Sequence, residues 1–293
     1  EGFRDAYQDY WRRYFDPVAL RVRSVDQLDL DLSILPLIDN SEYQRVKSNM
    51  GGERVALEPQ LRQGPIILHW AAHLNPEGRD YKELQSVAVN MLPGRDRATV
   101  EWLGQPVEAW IEDHPVLAKP DENINFSDLF QIPMVLAVEV KSKFGLAAFL
   151  VAFQSMVRTS APGLVRFEAL PPYKEHAFTA IRAEEDNRHA GQFRDAAIYY
   201  GAVGDMLYLS TQLAPLHRIV DAKAQAEDPQ AVVKAYGGGA SGHMAFRVHP
   251  DRAGHAMKLL GRKLSRQALQ AELEHLRNLE LVARTVGLGP DAR

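Results

Sequence analysis

Residues 197–224, AIYYGAVGDMLYLSTQLAPLHRIVDAKA, contain a strand, a turn, a second strand and a helix, each with a recognisable boundary. Tyr199 and Tyr200 favour a strand, and the segment 203–205, Val-Gly-Asp, supplies the turn before an apolar strand resumes. Thr211 can cap the helix, whose apolar positions recur at helical spacing. These positions are Leu213, Leu216, Ile219 and Val220. The stretch therefore predicts a β-hairpin followed by a helix, and it contains no catalytic motif.

A similar order of elements is predicted a second time in the first half of the chain. Residues 99–111 are predicted to form a strand, a turn at 104–106 and a second strand. Two later segments, 134–140 and 244–249, alternate apolar and polar residues as strands do, and a helical pattern follows each. The recurrence predicts a duplicated unit. The predicted fold is α+β, with two related units of antiparallel sheet covered on one face by helices.

The chain of 293 residues is long enough for two domains of ordinary size. We predict an N-terminal amphipathic helix over residues 1–17, because its aromatic side chains recur three and four positions apart. A first α+β unit is predicted over residues 18–163. A second is predicted over residues 164–293, and it ends in a long helix from about residue 265 to residue 286.

The two terminal helices provide the candidate partner-binding residues. Aromatic side chains line the N-terminal helix, and leucines line one side of the C-terminal helix. Packing of the aromatic stripe on a neighbouring sheet is the alternative, since aromatic residues also dominate ordinary cores. The six candidates are Tyr7, Trp11, Tyr14, Leu269, Leu273 and Leu276.

Composition excludes several classes of function. Hydrophobic residues make up 46% and charged residues 25% of the chain, as in a folded protein. The net charge of −4 argues against a basic nucleic-acid-binding surface over the whole chain. The absence of cysteine excludes disulfides, thiolate metal sites and cysteine nucleophiles, and it favours an extracytoplasmic location. No apolar run reaches the ~18 to 20 residues of a membrane span, so no transmembrane segment is predicted.

His69 and His73 lie four residues apart, a spacing that lets two imidazoles share a metal when the segment is helical. The zincin pattern needs a glutamate after the first histidine, where this sequence has Trp70. Residues 65–74, PIILHWAAHL, favour a strand at their start, and four residues of strand span roughly 13 Å, too far for a chelate. We therefore assign no metal ligand and no cofactor.

Two further segments contain residue types that catalysis uses. Glu112, Asp113 and His114 are compatible with an acid/base cluster, although turns also attract such residues for local hydrogen bonding. The glycine-rich segment 237–243 lacks the Gly-Lys-Ser/Thr ending of a phosphate-binding loop, so a flexible linker is favoured. No catalytic residue is assigned.

Three segments resemble those of large, uncharacterised, secreted or envelope-associated proteins of bacteria such as planctomycetes, which contain α+β domains of unknown function. The segments are YWRRYFDPVALRV, LPLIDNSEY and AIYYGAVGDMLYLSTQLAPLHRIVDAK. The resemblance covers about a quarter of the chain. It implies an envelope or surface location and assigns no catalytic residue.

The sequence therefore predicts a non-enzymatic binding or structural module of a larger extracytoplasmic bacterial protein or assembly. Its expected partners are other protein subunits, or other domains of a larger parent chain. The alternative is a hydrolase or metal-dependent enzyme that uses histidines with nearby carboxylates. The histidines considered for that role are His69, His73, His114 and His243.

Overall fold

The structure is a computed structural model. It describes residues 2, 4, 18–24, 28–34, 48–49, 64–90, 100–119, 126–184, 191, 193, 196–225, 244–248, 253–256 and 279–283. The six candidate partner-binding residues lie outside this described part of the chain. They are Tyr7, Trp11, Tyr14, Leu269, Leu273 and Leu276. The whole glycine-rich segment 237–243, including His243, lies outside it as well.

Strands and helices alternate irregularly along the chain, as in other α+β proteins. The strands are β1 Val18–Ser24, β2 Leu28–Ile34, β3 Ile66–Ala72, β4 Leu103–Glu112, β5 Met134–Val140, β6 Val165–Ala169, β7 Thr179–Ala183, β8 Ala197–Val203, β9 Met206–Ser210, β10 Met244–Val248 and β11 Leu279–Ala283. The helices are α1 Arg79–Asn90, α2 Phe126–Leu129, α3 Lys143–Ser160 and α4 Leu213–Gln225. A 3₁₀ turn covers Pro115–Ala118.

Nine strands form one antiparallel sheet in the order β11-β10-β3-β4-β5-β9-β8-β7-β6, while β1 and β2 pair separately. Every neighbouring pair in the large sheet is antiparallel. The α+β class with antiparallel sheet is thereby confirmed. Strands from both predicted units, residues 18–163 and 164–293, lie in this single sheet. Within the predicted C-terminal helix, residues 279–283 instead form β11, because they pair with β10.

Apart from β11, the strand order is symmetric about the boundary between β5 and β9. On one side the chain runs through β3, β4 and β5 into α3, and on the other through β7, β8 and β9 into α4. The strand after each helix crosses to the far half of the sheet: β6 lies beside β7, and β10 lies beside β3. The position that mirrors β5 is therefore that of β9.

The predicted equivalence of residues 134–140 with 244–249 differs from this arrangement. β5 is central and pairs with β4 and β9, whereas β10 lies beside the edge strand β11. Alternation of apolar residues cannot distinguish these two positions, because it reports burial of a face and carries no information on strand order. Duplication of the unit stays a prediction.

The β8–β9 hairpin and the helix after it are confirmed. Gly204 adopts a left-handed conformation with φ +65° in the turn, which glycine accepts without steric cost. α4 begins at Leu213. The Thr211 hydroxyl donates to the Ile132 carbonyl at 2.6 Å and accepts from the Met134 amide at 2.9 Å, so it joins β9 to the start of β5.

The predicted turn at residues 104–106 is wrong, since β4 runs unbroken from Leu103 to Glu112. Its pairing with β5 shifts register between Leu103 and Val107. A Cβ added at Gly104 would lie 2.7 Å from Oε2 of Glu139, and the same oxygen accepts the Gln105 amide at 2.9 Å. Glycine thus permits a bulge within a strand here, a role that sequence alone does not separate from a turn.

Helices cover both faces of the sheet, whereas the sequence predicted cover on one face. On one face Leu216, Ile219 and Val220 of α4 join a core with Trp110 and Tyr208. On the other face, side chains of α1 and α3 pack on the sheet. They include Tyr81, Leu146, Phe149 and Leu150. The described residues include no helix with the length and apolar character needed to cross a membrane.

Candidate functional site

Three polar residues follow one another at the end of β4, where the strand leaves the sheet. The Glu112 amide donates to the Pro133 carbonyl at 2.9 Å, and the Asp113 amide donates to the Pro65 carbonyl at 2.8 Å. These bonds hold residues 112–114 against the start of both neighbouring strands, β3 and β5. The side chains of Glu112, Asp113 and His114 are consequently fixed at one end of the sheet.

Glu112 forms an ion pair with Arg218 of α4. One guanidinium nitrogen, Nη2, donates to both carboxylate oxygens. The Glu112 side chain is 4% exposed and the Arg218 side chain is 35% exposed. Burial raises the pKa of Glu112 above its ordinary value, although the hydrogen bond and the charge of Arg218 act in the opposite direction. The pair therefore connects the sheet to the helix that covers it.

Asp113 holds the residues around His255 in place. Its Oδ2 accepts the His255 amide at 2.9 Å and lies 2.8 Å from Nδ1 of the same histidine, while Oδ1 accepts the Ala256 amide at 3.1 Å. The Asp113 side chain is buried, with 7% exposed, whereas that of His255 is 39% exposed. Carboxylate oxygens that accept hydrogen bonds from the first amides of a helical segment form an N-terminal cap.

His114 completes this group, which we call the β4-end cluster: Glu112, Asp113, His114, Arg218 and His255. Its Nδ1 accepts the Val116 amide at 3.3 Å, so it caps the 3₁₀ turn. Burial is the main cause that lowers the pKa of His114, and the charge of His255 lowers it further, while Asp113 raises it. A carboxylate beside an imidazole, with a second imidazole nearby, is chemistry suited to proton transfer.

His69 lies deeper in the sheet, where its side chain is buried. Its Nε2 is 3.2 Å from Oε2 of Glu108, and both side chains are 4% exposed. The Trp110 ring packs edge-on against the imidazole, with 5.9 Å between the ring centroids. His69 lies within β3, as the strand prediction requires, and the described residues contain no group of three or more side chains suited to holding a metal ion. His69 and Glu108 thus form a buried polar pair in the core.

A second polar cluster lies where α4 meets the turn before β7. The Tyr173 hydroxyl donates to Asp221 at 3.0 Å, and Lys174 Nζ lies 2.8 Å from the same carboxylate. The His217 ring stacks on the Tyr173 ring at 3.9 Å with an interplanar angle of 8°. Burial lowers the pKa of His217, and the hydrogen bond to Asp221 raises the pKa of Tyr173. This cluster fastens the turn to the helix.

An apolar groove lies on the sheet near β6, β7 and β8, and we call it the β6–β8 groove. Its volume is about 310 Å³. Most of its wall is formed by large apolar side chains, among them Phe130, Leu164, Val165, Ile181, Phe193 and Ile198. The rings of Phe130 and Phe193 meet edge-to-face at 6.5 Å. Leu164 is 48% exposed and Ile198 is 37% exposed, so apolar surface is open to solvent here.

Sequence reasoning identified residues 112–114 but missed the residues that bind them. Arg218 and His255 lie 106 and 142 positions away along the chain. No local signal links such distant residues, because the contacts depend on how α4 and residues 253–256 fold back onto the end of the sheet. The groove was missed for the same reason, since its walls come from residues 130–198.

Comparisons with known proteins give no assignment for this geometry. No protein-family model, no curated protein and no solved structure matches the chain. The resemblance to envelope-associated bacterial proteins therefore stays an expectation.

Proposed function

We propose that this chain is a non-enzymatic binding module of a larger extracytoplasmic bacterial protein or assembly, and that it binds another protein subunit or domain. The observation that supports this proposal is the β6–β8 groove. Apolar side chains line it, and two of them, Leu164 and Ile198, are partly open to water. Burial of such surface against a partner's apolar side chains is favourable by about 25 cal/mol per Å².

The polar side chains of the β4-end cluster support the same proposal, since several already have structural roles. Glu112 binds Arg218, Asp113 caps the segment at His255, and His114 caps the 3₁₀ turn. Each role stabilises local structure without any substrate. The lack of cysteine in the whole chain is compatible with the proposed extracytoplasmic location.

The groove can be tested with an uncharged fluorescent probe, N-phenyl-1-naphthylamine, whose emission rises in an apolar site. We expect saturable binding to the wild type. Ile198→Arg places a charge on the groove wall and should weaken binding by about tenfold or more, because a cation is poorly solvated there. Val87→Arg is the matched control, since Val87 lies on α1 and is 55% exposed. Equal binding by Ile198→Arg and the wild type would refute the groove as a binding site.

A second candidate function is hydrolysis, and the pairing of Asp113 with His255 beside His114 favours it. The carboxylate would orient the imidazole, which would act as a general base toward water. An activated ester such as p-nitrophenyl acetate is the simplest probe. Turnover by the wild type that Asp113→Asn and His255→Ala both abolish would support hydrolysis, whereas turnover equal to that of free imidazole would exclude it.

A further inference from the structure

β6 is an edge of the large sheet. Within the described part of the chain it pairs with β7 on one side, and the strand order ends with it. Edge strands present unpaired backbone groups to solvent and readily accept another strand. Val165, Arg166 and Phe167 are half-buried, and Glu168 and Ala169 are exposed.

The backbone bonds to β7 identify which residues of β6 point outward. The Glu184 amide donates to the Leu164 carbonyl at 3.0 Å, and the Leu170 amide donates to the Phe178 carbonyl at 2.9 Å. Hydrogen-bonded pairs alternate along an antiparallel ladder, so even-numbered residues of this strand face β7. The outward amides and carbonyls therefore belong to the odd-numbered residues of the strand. They are Val165, Phe167 and Ala169.

The ends of the strand restrict where a new strand can pair. Pro171 and Pro172 follow Leu170, and proline has no amide hydrogen to donate. Gly163, two residues before the strand, is in the left-handed conformation with φ +71°. A strand that adds to this edge is thereby limited to about the length of Val165–Ala169.

The sequence of β6, VRFEA, is complementary to itself when read antiparallel. With Phe167 opposite Phe167 of a second copy, Val165 faces Ala169 and Arg166 faces Glu168. Opposite charges directly across an antiparallel pair are stabilising, and like charges are destabilising. A two-fold symmetric pair presents the same surface from both copies, so it makes the Arg166–Glu168 contact twice.

We propose that two copies of this chain pair through β6, antiparallel and centred on Phe167, to join their sheets into one. This inference rests on the proposed function as a binding module and names its partner as a second copy. All outward amides and carbonyls of Val165, Phe167 and Ala169 are then hydrogen-bonded across the two-fold axis. A closed two-fold pair uses the outward backbone groups of β6 in both copies, so no further copy can add there.

Side chains on both faces of β6 fit this arrangement. On one face, register places Arg166 directly opposite Arg182, and Glu168 lies 3.1 Å from Arg182. Glu168 of the second copy brings a carboxylate to this arginine-rich position. On the other face, the Phe167 ring packs edge-to-face with Phe153 of α3 at 6.2 Å. Phe167 of the second copy extends that aromatic cluster across the axis.

The first test is the mass of the intact wild-type chain, measured by analytical ultracentrifugation over a range of concentrations. We expect a reversible dimer with twice the monomer mass of 32.9 kDa. A mass of 32.9 kDa at every concentration overturns the proposal. Mass that keeps rising with concentration also overturns it, because a closed two-fold pair stops at two copies.

Charge exchange tests the register. Arg166→Glu alone and Glu168→Arg alone each place like charges opposite one another twice, so the dissociation constant should rise about tenfold or more. The double variant R166E/E168R restores opposite charges and should return the constant to within about threefold of the wild type. Failure of the double variant to recover, with circular dichroism unchanged, overturns this register.

Ala169→Pro tests the backbone bonds. It removes an outward amide that the ladder to β7 does not use, so the chain should fold and remain monomeric. Ala169→Ser keeps the amide and serves as the matched control, which should dimerise. An Ala169→Pro chain that dimerises as the wild type does overturns pairing through β6. A monomeric wild type that still binds the naphthylamine probe would refute the dimer alone and leave the groove standing.

Discussion

Glu112 and Arg218 join the end of β4 to α4 through an ion pair in which one guanidinium nitrogen contacts both carboxylate oxygens. The carboxylate is almost fully buried and the guanidinium is about one-third exposed. A Cβ added at the neighbouring Gly64 would lie 2.9 Å from Oε1 of Glu112, so the chain passes very close to this pair. The Glu112 carboxylate is therefore closely packed, with Arg218 as its charged partner.

Arg218→Met should therefore destabilise the protein by about 2–3 kcal/mol at neutral pH. Removing one partner of a buried ion pair costs more than the pair itself contributes, because the remaining charge is left without compensation. We place the cost below that of a fully buried pair, since Arg218 is partly exposed. Urea-induced unfolding measures the change in the free energy of unfolding.

The double variant Glu112→Gln with Arg218→Met is the control for this prediction. It removes both charges, so its loss of unfolding free energy should be smaller than the sum of the losses in the two single variants.

The loss of unfolding free energy in Arg218→Met should also become smaller in acid. A carboxyl with a raised pKa in the folded state costs stability as pH rises through that pKa, and the cost is absent when pH is below the unfolded value of 4.5. A loss independent of pH would contradict this account.

Acid should weaken the fold through His114 and His217, since burial lowers the pKa of both below the ordinary value of 6.5. In the unfolded chain these histidines take up protons first as pH falls. Their contribution to stability is therefore fully present above pH 6.5 and is lost as pH falls from 6.5 through the folded-state values. The free energy of unfolding, measured in urea at several pH values from neutral to mildly acidic, should show this slope.

His114→Asn isolates one part of that slope. Asparagine offers an oxygen close to the position of Nδ1, so the bond from the Val116 amide can be kept while the titrating group is removed. The pH slope should become shallower, and His217→Gln added to it should flatten the slope further. Glu112 acts in the opposite direction because its pKa is raised, so comparison of the variants with the wild type is needed. A slope that both variants leave unchanged would contradict the prediction.

Local chemistry explains which parts of the fold the sequence predicts. The β8–β9 hairpin follows from a Gly-Asp turn between apolar strands, and α4 follows from its helical spacing. The prediction of a turn at Gly104 was wrong, because a glycine required by close contact with Glu139 cannot be distinguished in sequence from a glycine required by a turn. The carboxylate that distinguishes the two, that of Glu139, lies 34 residues beyond Gln105.

The site residues show the same limit. Asp113 could be named from sequence as an acid beside a histidine, but the histidine it binds is His255 and not its neighbour His114. The sequence argument against a His69–His73 chelate relied on strand geometry, and His69 does lie in β3. Its actual partner, Glu108, lies on the next strand, and only the register of β3 and β4 brings the two together.

Gly201→Ala should destabilise the sheet strongly. A Cβ at this position in β8 would lie 2.4 Å from Cδ1 of Phe178 and 2.7 Å from the Ala177 carbonyl oxygen. Phe178 is 2% exposed, so its ring has little room to move. Overpacking of this kind costs about 1–3 kcal/mol, and we expect a loss near the upper limit. The midpoint of urea-induced unfolding should fall accordingly.

Gly191→Ala is the matched control, because a Cβ at Gly191 would meet no atom of the described residues within 4 Å. Its effect on the free energy of unfolding should stay within about 0.5 kcal/mol of zero. Equal losses in the two variants would contradict the assignment of the effect to contact with Phe178.

Glu175→Gly should stabilise the protein by about 0.5–1 kcal/mol. Lys174 and Glu175 form the turn between Tyr173 and His176 with φ values of 46° and 68°, a left-handed conformation that costs about 1–2 kcal/mol for a residue with a Cβ. Glycine removes that cost but loses more backbone freedom on folding, so the net gain is smaller. Glu175→Ala keeps the Cβ and removes the carboxylate, so it should give no gain.

Two backbone hydrogen bonds close the turn: the Tyr173 amide donates to the His176 carbonyl at 2.9 Å, and the His176 amide donates to the Tyr173 carbonyl at 3.0 Å. The Tyr173 hydroxyl in turn donates to Asp221. A relaxed turn should preserve both contacts and raise the midpoint of thermal unfolding, whereas a lowered midpoint in Glu175→Gly would mean that the left-handed geometry imposes no strain.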